Sequence, residues 1–275
     1  MKPITINKTI IIKETEFIKI KELIHKFSGI YIEDDKIEFI QSKLNSHLHK
    51  LNLDSFSKYY YCLLEDNIIL QDMINKITTN QTYFFREQKH YTFLEQEILK
   101  KLNSKRVFKC WSAAASSGQE AYSSAMVIAN ILDISSHRWE IILSDINNNI
   151  LNKAKEAKYP LNESKKISKS FFERYCDYDE NKDKHHFYIK NNLKNKLQFK
   201  NINLINDLPS DLEEFDLIFL RNIIIYFDKP TRKKIVEKVI KKLKKGGFLF
   251  MGHSESLFNI TSKVKLIQPS IYQKV

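Results

Sequence analysis

Residues 107–122 read VFKCWSAAASSGQEAY and combine three local patterns. The apolar run 107–111 predicts a short buried strand, and the small residues 113–118 predict a loop. Gln119 and Glu120 then begin a pattern with helical spacing. A strand, a loop of small side chains and a helix are typical of an α/β sheet, in which ligands bind beyond the carboxyl ends of the strands.

The same alternation continues along the chain outside this stretch. Patterns with helical spacing occur at 120–132, 148–157 and 229–243. Short apolar runs typical of strands occur between and after them, at 139–143, 215–220 and 248–251. This order predicts a doubly wound, mostly parallel sheet with helices on both faces. We expect Gly246-Gly247 to end the last helix, the tail 264–275 to add an antiparallel element, and a subdomain to be inserted at about 161–201, where the alternation stops.

The first 75 residues have a purely helical pattern. Apolar residues recur there at three- and four-residue steps, and the first such series is Phe17, Ile20, Leu23, Ile24 and Phe27. The predicted organisation is a helical N-terminal domain at 1–75, a linker and connecting helix at 76–105, and an α/β domain at 106–275.

The composition argues against several classes of protein. Of the 275 residues, 43% are hydrophobic, enough for a folded core, and no apolar run is long enough for a membrane span or a signal peptide. Three widely spaced cysteines indicate neither disulfides nor a zinc site. The adjacent His185 and His186 point to opposite faces of a strand, so we expect no metal site. The cysteine usage and the lack of a signal peptide predict a cytoplasmic protein.

The net charge of +12 is concentrated after the helical region, above all at 229–245. Such a surface can bind nucleic acid or an anionic membrane, but the helical spacing of these lysines favours a solvated helix face. We therefore expect no nucleic-acid partner and no insertion into a membrane.

The loop 113–118 suits a nucleotide-like ligand that lacks phosphate. Its small side chains let a ligand approach the backbone, and Asp145, at the end of the second strand, can accept hydrogen bonds from ribose hydroxyls. The chain has neither a Gly-x-Gly-x-x-Gly nor a P-loop pattern, and S-adenosylmethionine has adenine and ribose but no phosphate. Alternatively, Asp145 caps the helix that begins near Asn147.

The segment 252–256 resembles a hydrolase nucleophile elbow without its last glycine, which argues against a serine hydrolase.

Five segments carry a more specific resemblance: 78–87 (TTNQTYFFRE), 111–122 (WSAAASSGQEAY), 144–146 (SDI), 215–228 (FDLIFLRNIIIYFD) and 246–256 (GGFLFMGHSES). Together they resemble the CheR family of chemotaxis receptor methyltransferases over almost the whole chain. The resemblance implies a seven-stranded S-adenosylmethionine methyltransferase fold, a small all-α N-terminal domain and an inserted antiparallel β-subdomain.

The resemblance also implies a site at the junction of two domains. Arg86, which suits bidentate binding of the methionine carboxylate, and Tyr226, near the methyl-transfer position, are the implied catalytic residues. The implied cofactor-binding residues are Asn80, Thr82, Arg86, Ala114, Glu120, Asp145, Asn203, Leu204, Arg221 and Asn222. Gln119 occupies a position where the family usually has glutamate, and we expect this difference to alter the affinity for the cofactor.

The implied reaction transfers a methyl group from S-adenosylmethionine to glutamate carboxylates of chemoreceptors, giving γ-methyl esters and S-adenosylhomocysteine. The implied partner is the cytoplasmic helical region of these receptors. We expect weak, pH-sensitive docking on a helix that offers Lys43, His47, His49 and Lys50. Region 176–187 contains no glycine, which argues against binding of a receptor tail peptide. Methylation of RNA or a small molecule, and a non-catalytic module that binds the cofactor, remain as alternatives.

Overall fold

The computed structural model describes residues 9–78, 80–102, 106–135, 138–179 and 183–275. Thr79 of segment 78–87 lies outside the described residues, as do 103–105 of the predicted linker and 180–182 of the predicted insertion. The described chain divides into two compact units. One contains the residues before Asn80 together with Tyr226–Asp228, and the other contains the remaining residues.

The first unit is helical. Its α-helices are α1 (Glu14–Ser28), α2 (Ile37–Lys50), α3 (Phe56–Glu65) and α4 (Asn67–Ile77). Two of them begin at side-chain caps, because Ser55 and Asp66 accept hydrogen bonds from backbone N–H groups of the first turn. Helix α1 ends at Gly29, whose φ of 75° favours a residue without Cβ. The predicted all-α N-terminal domain is confirmed.

The surface of α2 differs from the prediction at His47. Lys43 and Lys50 are exposed and His49 is half-buried, but His47 is 1% exposed and its Nδ1 lies 2.8 Å from the hydroxyl oxygen of Tyr59. The prediction that His47 is offered to a receptor is therefore wrong, because a buried ring packed against α3 cannot contact a partner. Burial also lowers the pKa of His47.

The segment Tyr226–Asp228 groups with the helices of the first unit. Phe227 forms an isolated antiparallel bridge with Ile30. The Tyr31 N–H donates to the carbonyl oxygen of Tyr226 at 2.8 Å. Tyr226, the second predicted catalytic residue, is therefore held by backbone hydrogen bonding within this unit.

The second unit contains the sheets. In chain order its elements are α5 (Lys89–Phe93), continued by helical turns at Leu94–Ile98 and Leu99–Lys101, β1 (Phe108–Ser112), α6 (Gln119–Leu132), β2 (Trp139–Asp145), α7 (Asn148–Glu156), β3 (Lys158–Pro160), a 3-10 helix (Leu161–Lys166), α8 (Lys169–Tyr175), β4 (Cys176–Asp179), β5 (Asp183–Ile189), α9 (Asn191–Lys194), β6 (Leu197–Asn201), β7 (Phe215–Leu220), α10 (Lys229–Lys241), β8 (Leu243–Met251), β9 (Val264–Gln268) and β10 (Ile271–Lys274).

The larger sheet has seven strands in the order β6-β2-β1-β7-β8-β10-β9. Pairing is parallel from β6 through β8, and β10 is antiparallel to both β8 and β9. Strands β3, β5 and β4 form a separate antiparallel sheet. The predicted fold class, a mostly parallel seven-stranded sheet with an antiparallel β-subdomain, is confirmed. Strand β6 lies within 161–201 but pairs with β2 in the larger sheet.

Gly246 and Gly247 lie inside β8, whereas α10 already ends at Lys241. The prediction that they end the last helix is therefore wrong. The pairing of β7 with β8 changes register at this point, and Gly246 has a φ of 75°. The two glycines thus permit a bulge in the strand, a position where a backbone without Cβ is favoured.

Aromatic rings connect the small sheet to α6. The ring of Tyr159, on β3, lies 4.9 Å from that of Phe84, 5.8 Å from that of Phe187 and 6.2 Å from that of Tyr122. All four residues belong to the buried core, so this packing fixes the beginning of α6. Among the described helices, none combines the length and the apolar character that crossing a bilayer requires.

Candidate functional site

The loop 113–118 follows β1, an inner strand of the larger sheet that lies between β2 and β7, and both of these neighbouring strands hold it. The Ala113 N–H donates to the carbonyl oxygen of Phe219 on β7 at 2.9 Å. The Ala115 N–H donates to the carbonyl oxygen of Ser144 on β2 at 2.8 Å. The predicted ligand loop is therefore attached at the carboxyl edge of the sheet, where α/β proteins bind their ligands.

Gly118 ends this loop and precedes α6 with a φ of 94°. A Cβ at this position would lie 3.0 Å from Cβ of Ala154 and 3.1 Å from the hydroxyl oxygen of Tyr159. Both the backbone angle and the crowding require glycine. The N–H groups of the first turn of α6 follow directly, and such groups are available to polar atoms of a ligand.

Asp145, the last residue of β2, is buried beside the loop. Its Oδ2 accepts a hydrogen bond from the Ser116 N–H at 2.9 Å, and its Oδ1 accepts one from the Asn147 N–H at 2.9 Å. The alternative that Asp145 caps the next helix is wrong, because Asn147 caps α7 through the Ile150 N–H. Burial raises the pKa of Asp145, and each oxygen keeps a lone pair for a further donor.

Glu120 lies in the first turn of α6, opposite the end of β1. The hydroxyl of Ser112, the last residue of β1, donates to Oε1 of Glu120 at 2.6 Å. Nη1 of Arg221 lies 3.2 Å from Oε2 of the same carboxylate. Burial raises the pKa of Glu120, and the facing guanidinium of Arg221 opposes that effect.

Arg221 follows β7, and its side chain is only 1% exposed. Its Nε and Nη2 lie 3.2 Å and 3.1 Å from Oε2 of Glu87. Nη2 also donates to the carbonyl oxygen of Arg86, and Nη1 faces Glu120. The guanidinium therefore joins two acidic side chains and one backbone carbonyl, an arrangement suited to positioning other residues.

Arg86 lies in a strained segment between Asn80 and α5. The flanking residues Phe85 and Glu87 have φ values of 55° and 61°, and non-glycine residues adopt such values at an energetic cost that is typical of functional sites. Arg86 is half-buried, and its Nη1 donates to the carbonyl oxygen of Gln81 at 3.0 Å. Its positive charge acts on the Glu120 carboxylate, so the two charged side chains are electrostatic neighbours.

Asn222 follows Arg221 with a φ of 55°. The carboxylate of Glu255 holds this turn, because it accepts the N–H groups of Asn222 at 2.7 Å and of Ile223 and Ile224 at 2.9 Å each. It also accepts the Gly252 N–H at 2.8 Å. Burial raises the pKa of Glu255, and these four donors oppose that effect only in part.

Two of the remaining predicted residues of this unit, Asn80 and Asn203, have contacts near the same edge of the sheet. The carbonyl oxygen of Asn80 accepts a hydrogen bond from the Ser116 hydroxyl at 3.0 Å. Oδ1 of Asn203, after β6, accepts the Ile205 N–H at 3.2 Å. The other predicted cofactor-binding residues here are the half-buried Thr82 and Ala114 and the buried Leu204. Tyr226 belongs to the helical unit.

Three further residues at this site, Ser112, Glu87 and Glu255, were not predicted from the sequence. Each supports a predicted residue: Ser112 binds Glu120, Glu87 binds Arg221, and Glu255 binds the turn of Asn222. All three lie inside the segments that carry the family resemblance. Their position in these segments was therefore the only signal, because no local spacing connects them to their partners.

Two family descriptions match the chain. Residues 80–272 match the S-adenosylmethionine-binding domain of CheR methyltransferases, and residues 15–78 match the all-α domain of CheR methyltransferases.

Several curated proteins are similar over nearly their whole length. A chemotaxis protein methyltransferase of Salmonella typhimurium is 34% identical over 263 residues, which are 95% of this chain and 90% of that protein. One from Borreliella burgdorferi is 34% identical over 278 residues, 98% of this chain and 97% of that protein. One from Escherichia coli is 33% identical, over 95% of this chain and 91% of that protein.

Among solved structures, an O-methyltransferase family protein from Burkholderia thailandensis is similar over 71% of this chain and 43% of that chain. The sequence identity is 11% and the TM-score is 0.36, and this TM-score is too low to support an argument.

Proposed function

Since this chain belongs to the CheR family of methyltransferases and contains that family's S-adenosylmethionine-binding domain, we propose that it methylates glutamate side chains of chemoreceptors. The names of the similar proteins, chemotaxis protein methyltransferases, support a substrate in chemotactic signalling. The proposed partner is the cytoplasmic helical region of the receptors, and the proposed products are γ-methyl esters and S-adenosylhomocysteine.

One observation carries the proposal. Two carboxylates, the half-buried Glu120 and the buried Asp145, are fixed on either side of loop 113–118. They lie beside the ends of the adjacent strands β1 and β2. We assign Asp145 to the ribose hydroxyls, because carboxylate oxygens with free lone pairs accept from paired hydroxyls. We assign Glu120 to the amino group of the methionine part of the cofactor.

Arg86 is proposed to hold the methionine carboxylate. A guanidinium can bind a carboxylate through two parallel hydrogen bonds, which fixes the orientation of the bound group. The strained backbone at Phe85 and Glu87 supports this role, since it directs Glu87 towards Arg221 and leaves Arg86 half-buried. Arg221 then also positions Glu120 and Arg86, in addition to the cofactor-binding role that the resemblance implies.

The proposed reaction requires alignment more than proton transfer. A glutamate with a pKa of about 4.3 is already ionised at neutral pH, and the sulfonium methyl group is already activated. The carboxylate oxygen forms a bond to the methyl carbon as the carbon–sulfur bond breaks. The electron pair of the carbon–sulfur bond stays on sulfur, which becomes the neutral thioether of S-adenosylhomocysteine. The chain's contribution is to orient the two reactants and exclude water. We propose, from the family resemblance, that Tyr226 contacts the reacting groups.

Radiolabelled S-adenosylmethionine and receptor-containing membranes test the proposal. We expect label on the receptor that mild alkali releases as volatile methanol, because carboxyl methyl esters hydrolyse easily. The Arg86→Ala variant should lose most of this label, whereas Lys234→Ala, on the exposed face of α10, should retain it. Label that survives alkali, or label on RNA, would contradict the proposal, and cofactor binding without transfer to several receptors would indicate a non-catalytic module.

A further inference from the structure

Glu87, His90 and His253 bring three metal-binding atoms close together within the second unit. One ligand atom from each residue lies within 4.8 Å of the other two. Oε2 of Glu87 is 3.4 Å from Nδ1 of His90 and 3.9 Å from Nε2 of His253. Bonds of about 2.0–2.1 Å to a tetrahedral zinc ion separate the ligand atoms by about 3.3 Å. The separation of Glu87 and His90 is thus already close to this value, and Nε2 of His253 lies somewhat farther out.

The hydrogen bonds of His90 decide which of its ring nitrogens carries the proton. Oγ of Ser270 lies 2.6 Å from the carbonyl oxygen of Pro269 and 2.8 Å from Nε2 of His90. A carbonyl oxygen can only accept, so the single hydroxyl proton of Ser270 is donated to Pro269. Oγ of Ser270 must then accept a proton from Nε2 of His90. Nδ1 of His90 is consequently an unprotonated lone pair.

This lone pair faces another acceptor. His90 is fully buried, and within the part of the chain that the structure describes its Nδ1 has no hydrogen-bond donor. The atom that lies 3.4 Å away is Oε2 of Glu87, which carries negative charge. Oε2 is already paired with the guanidinium of Arg221, but Nδ1 of His90 remains a buried acceptor without a donor, and a cation beside both atoms would satisfy it.

The surrounding groups have the arrangement that usually supports metal ligands. His90 donates its other ring N–H to Ser270, as ligating histidines generally donate to an oxygen atom. The Glu87 carboxylate is oriented by two residues. The His253 backbone N–H donates to Oε1 at 3.2 Å, and the guanidinium of Arg221 lies against Oε2 through Nε at 3.2 Å and Nη2 at 3.1 Å. The His253 side chain is 52% exposed, which gives an ion access from solvent.

We propose that Glu87, His90 and His253 bind one divalent transition-metal ion of the zinc type. Two imidazole nitrogens and one carboxylate oxygen suit Zn²⁺ or Co²⁺ and do not suit Mg²⁺ or Ca²⁺, which prefer oxygen ligands. The fourth position remains for water. The site adjoins Arg221 and, through it, the backbone of Arg86.

The test is a titration of the full-length, metal-stripped protein with Zn²⁺ in competition with a chromophoric chelator. We expect one equivalent of Zn²⁺ per chain, and His253→Ala should weaken binding at least about tenfold. Glu87→Gln, which keeps the size of the side chain, should weaken it similarly. His49→Ala, a half-buried histidine of α2, is the matched control and should leave the affinity unchanged. The melting temperature of each metal-free variant checks that it is folded.

Co²⁺ provides a readout that is independent of affinity. Its visible absorption reports the coordination of the ion, and the bands should be lost in His253→Ala and Glu87→Gln but kept in His49→Ala. The proposal is overturned if the wild-type protein binds no stoichiometric Zn²⁺. Equal Zn²⁺ affinity in wild type and His253→Ala, or equal loss in the His49→Ala control, would also refute it.

Discussion

At the scale of single residues, Asp145, the proposed partner of the ribose hydroxyls, is held in a defined orientation. Its two oxygens are oriented by the N–H groups of Ser116 and Asn147. The loop and the beginning of α7 therefore fix the carboxylate before a cofactor arrives. Such preorganisation lowers the entropy cost of binding.

We expect Asp145→Asn to weaken S-adenosylmethionine binding about tenfold to a hundredfold. The substitution keeps the shape but removes the charge, and hydrogen bonds to charged acceptors contribute about 1.5–3 kcal/mol. Isothermal titration calorimetry with S-adenosylhomocysteine measures the effect, and Asp207→Asn, at an exposed position, is the control. A lower melting temperature with unchanged affinity would mean that Asp145 only supports the loop.

Arg221 shows the limit of assigning roles from motifs. The family resemblance implies a cofactor-binding residue, and the structure places its side chain among Glu87, Glu120 and the Arg86 carbonyl. Its role in the adenosine pocket stays a prediction. Its burial indicates that substitution would also disturb the orientation of Glu120 and Arg86.

At the scale of elements, the junction between loop 113–118 and α6 depends on Gly118. We expect Gly118→Ala to lower the free energy of unfolding by about 2–4 kcal/mol, because a positive φ costs about 1–2 kcal/mol and crowding adds to it. The matched control is Gly246→Ala. Gly246 also has a positive φ, but a Cβ there meets no atom within 4 Å.

Chemical denaturation of both glycine variants measures this difference. In Gly246→Ala the free energy of unfolding should fall by only about 1–2 kcal/mol, because the positive φ alone is unfavourable there. Equal losses in the two variants would show that the contacts with Ala154 and Tyr159 do not matter. Gly118→Ala should in addition weaken cofactor binding, since the loop and the first turn of α6 move together.

The packing of α2 on α3 includes a titratable contact. Burial lowers the pKa of His47, whereas in the unfolded chain this pKa is about 6.5. The unfolded state therefore takes up a proton first as the pH falls, and the contribution of His47 to stability, complete above about pH 6.5, decreases below it.

We therefore expect His47→Gln to reduce the pH dependence of stability between about pH 7.5 and pH 5. Urea unfolding at several pH values measures the slope. His49→Gln, which changes a half-buried histidine on the same helix, is the matched control. An unchanged slope in His47→Gln would mean that His47 becomes protonated in the folded protein.

At the scale of the whole molecule, the burial of His47 means that the predicted receptor contact on α2 consists of Lys43, Lys50 and His49. We expect the double variant Lys43→Ala/Lys50→Ala to raise KM for receptor membranes about threefold to tenfold with little change in kcat, since exposed charges mainly steer association. Steady-state methylation at two salt concentrations measures this effect. Lys234→Ala on α10 is the control, and an equal rise in KM there would indicate non-specific attraction by the net charge.

The burial of His47 also changes an expectation about pH. Docking that involves only His49 should depend on pH less strongly than a contact made by two histidines. Docking affinity measured between about pH 6 and pH 8 distinguishes the two cases.

Local periodicity in the sequence was enough to predict the α/β sheet, the helical first unit, the ligand loop and the placement of Asp145 at the end of a strand. The family motifs added the seven-stranded architecture, which the structure confirms, and the use of S-adenosylmethionine, which the family match confirms. These features depend on residues close together in the chain, so their spacing is visible without a structure.

Only the tertiary structure decided which side chains meet across long separations. Glu87 and His253 are 166 residues apart, and Arg221 and Arg86 are 135 apart. The burial of His47 and the grouping of Tyr226 with the helices were likewise invisible in the sequence. Such contacts depend on strand order, register and helix packing, which no local pattern contains, and hydrogen bonds and ion pairs form only where these bring the groups together.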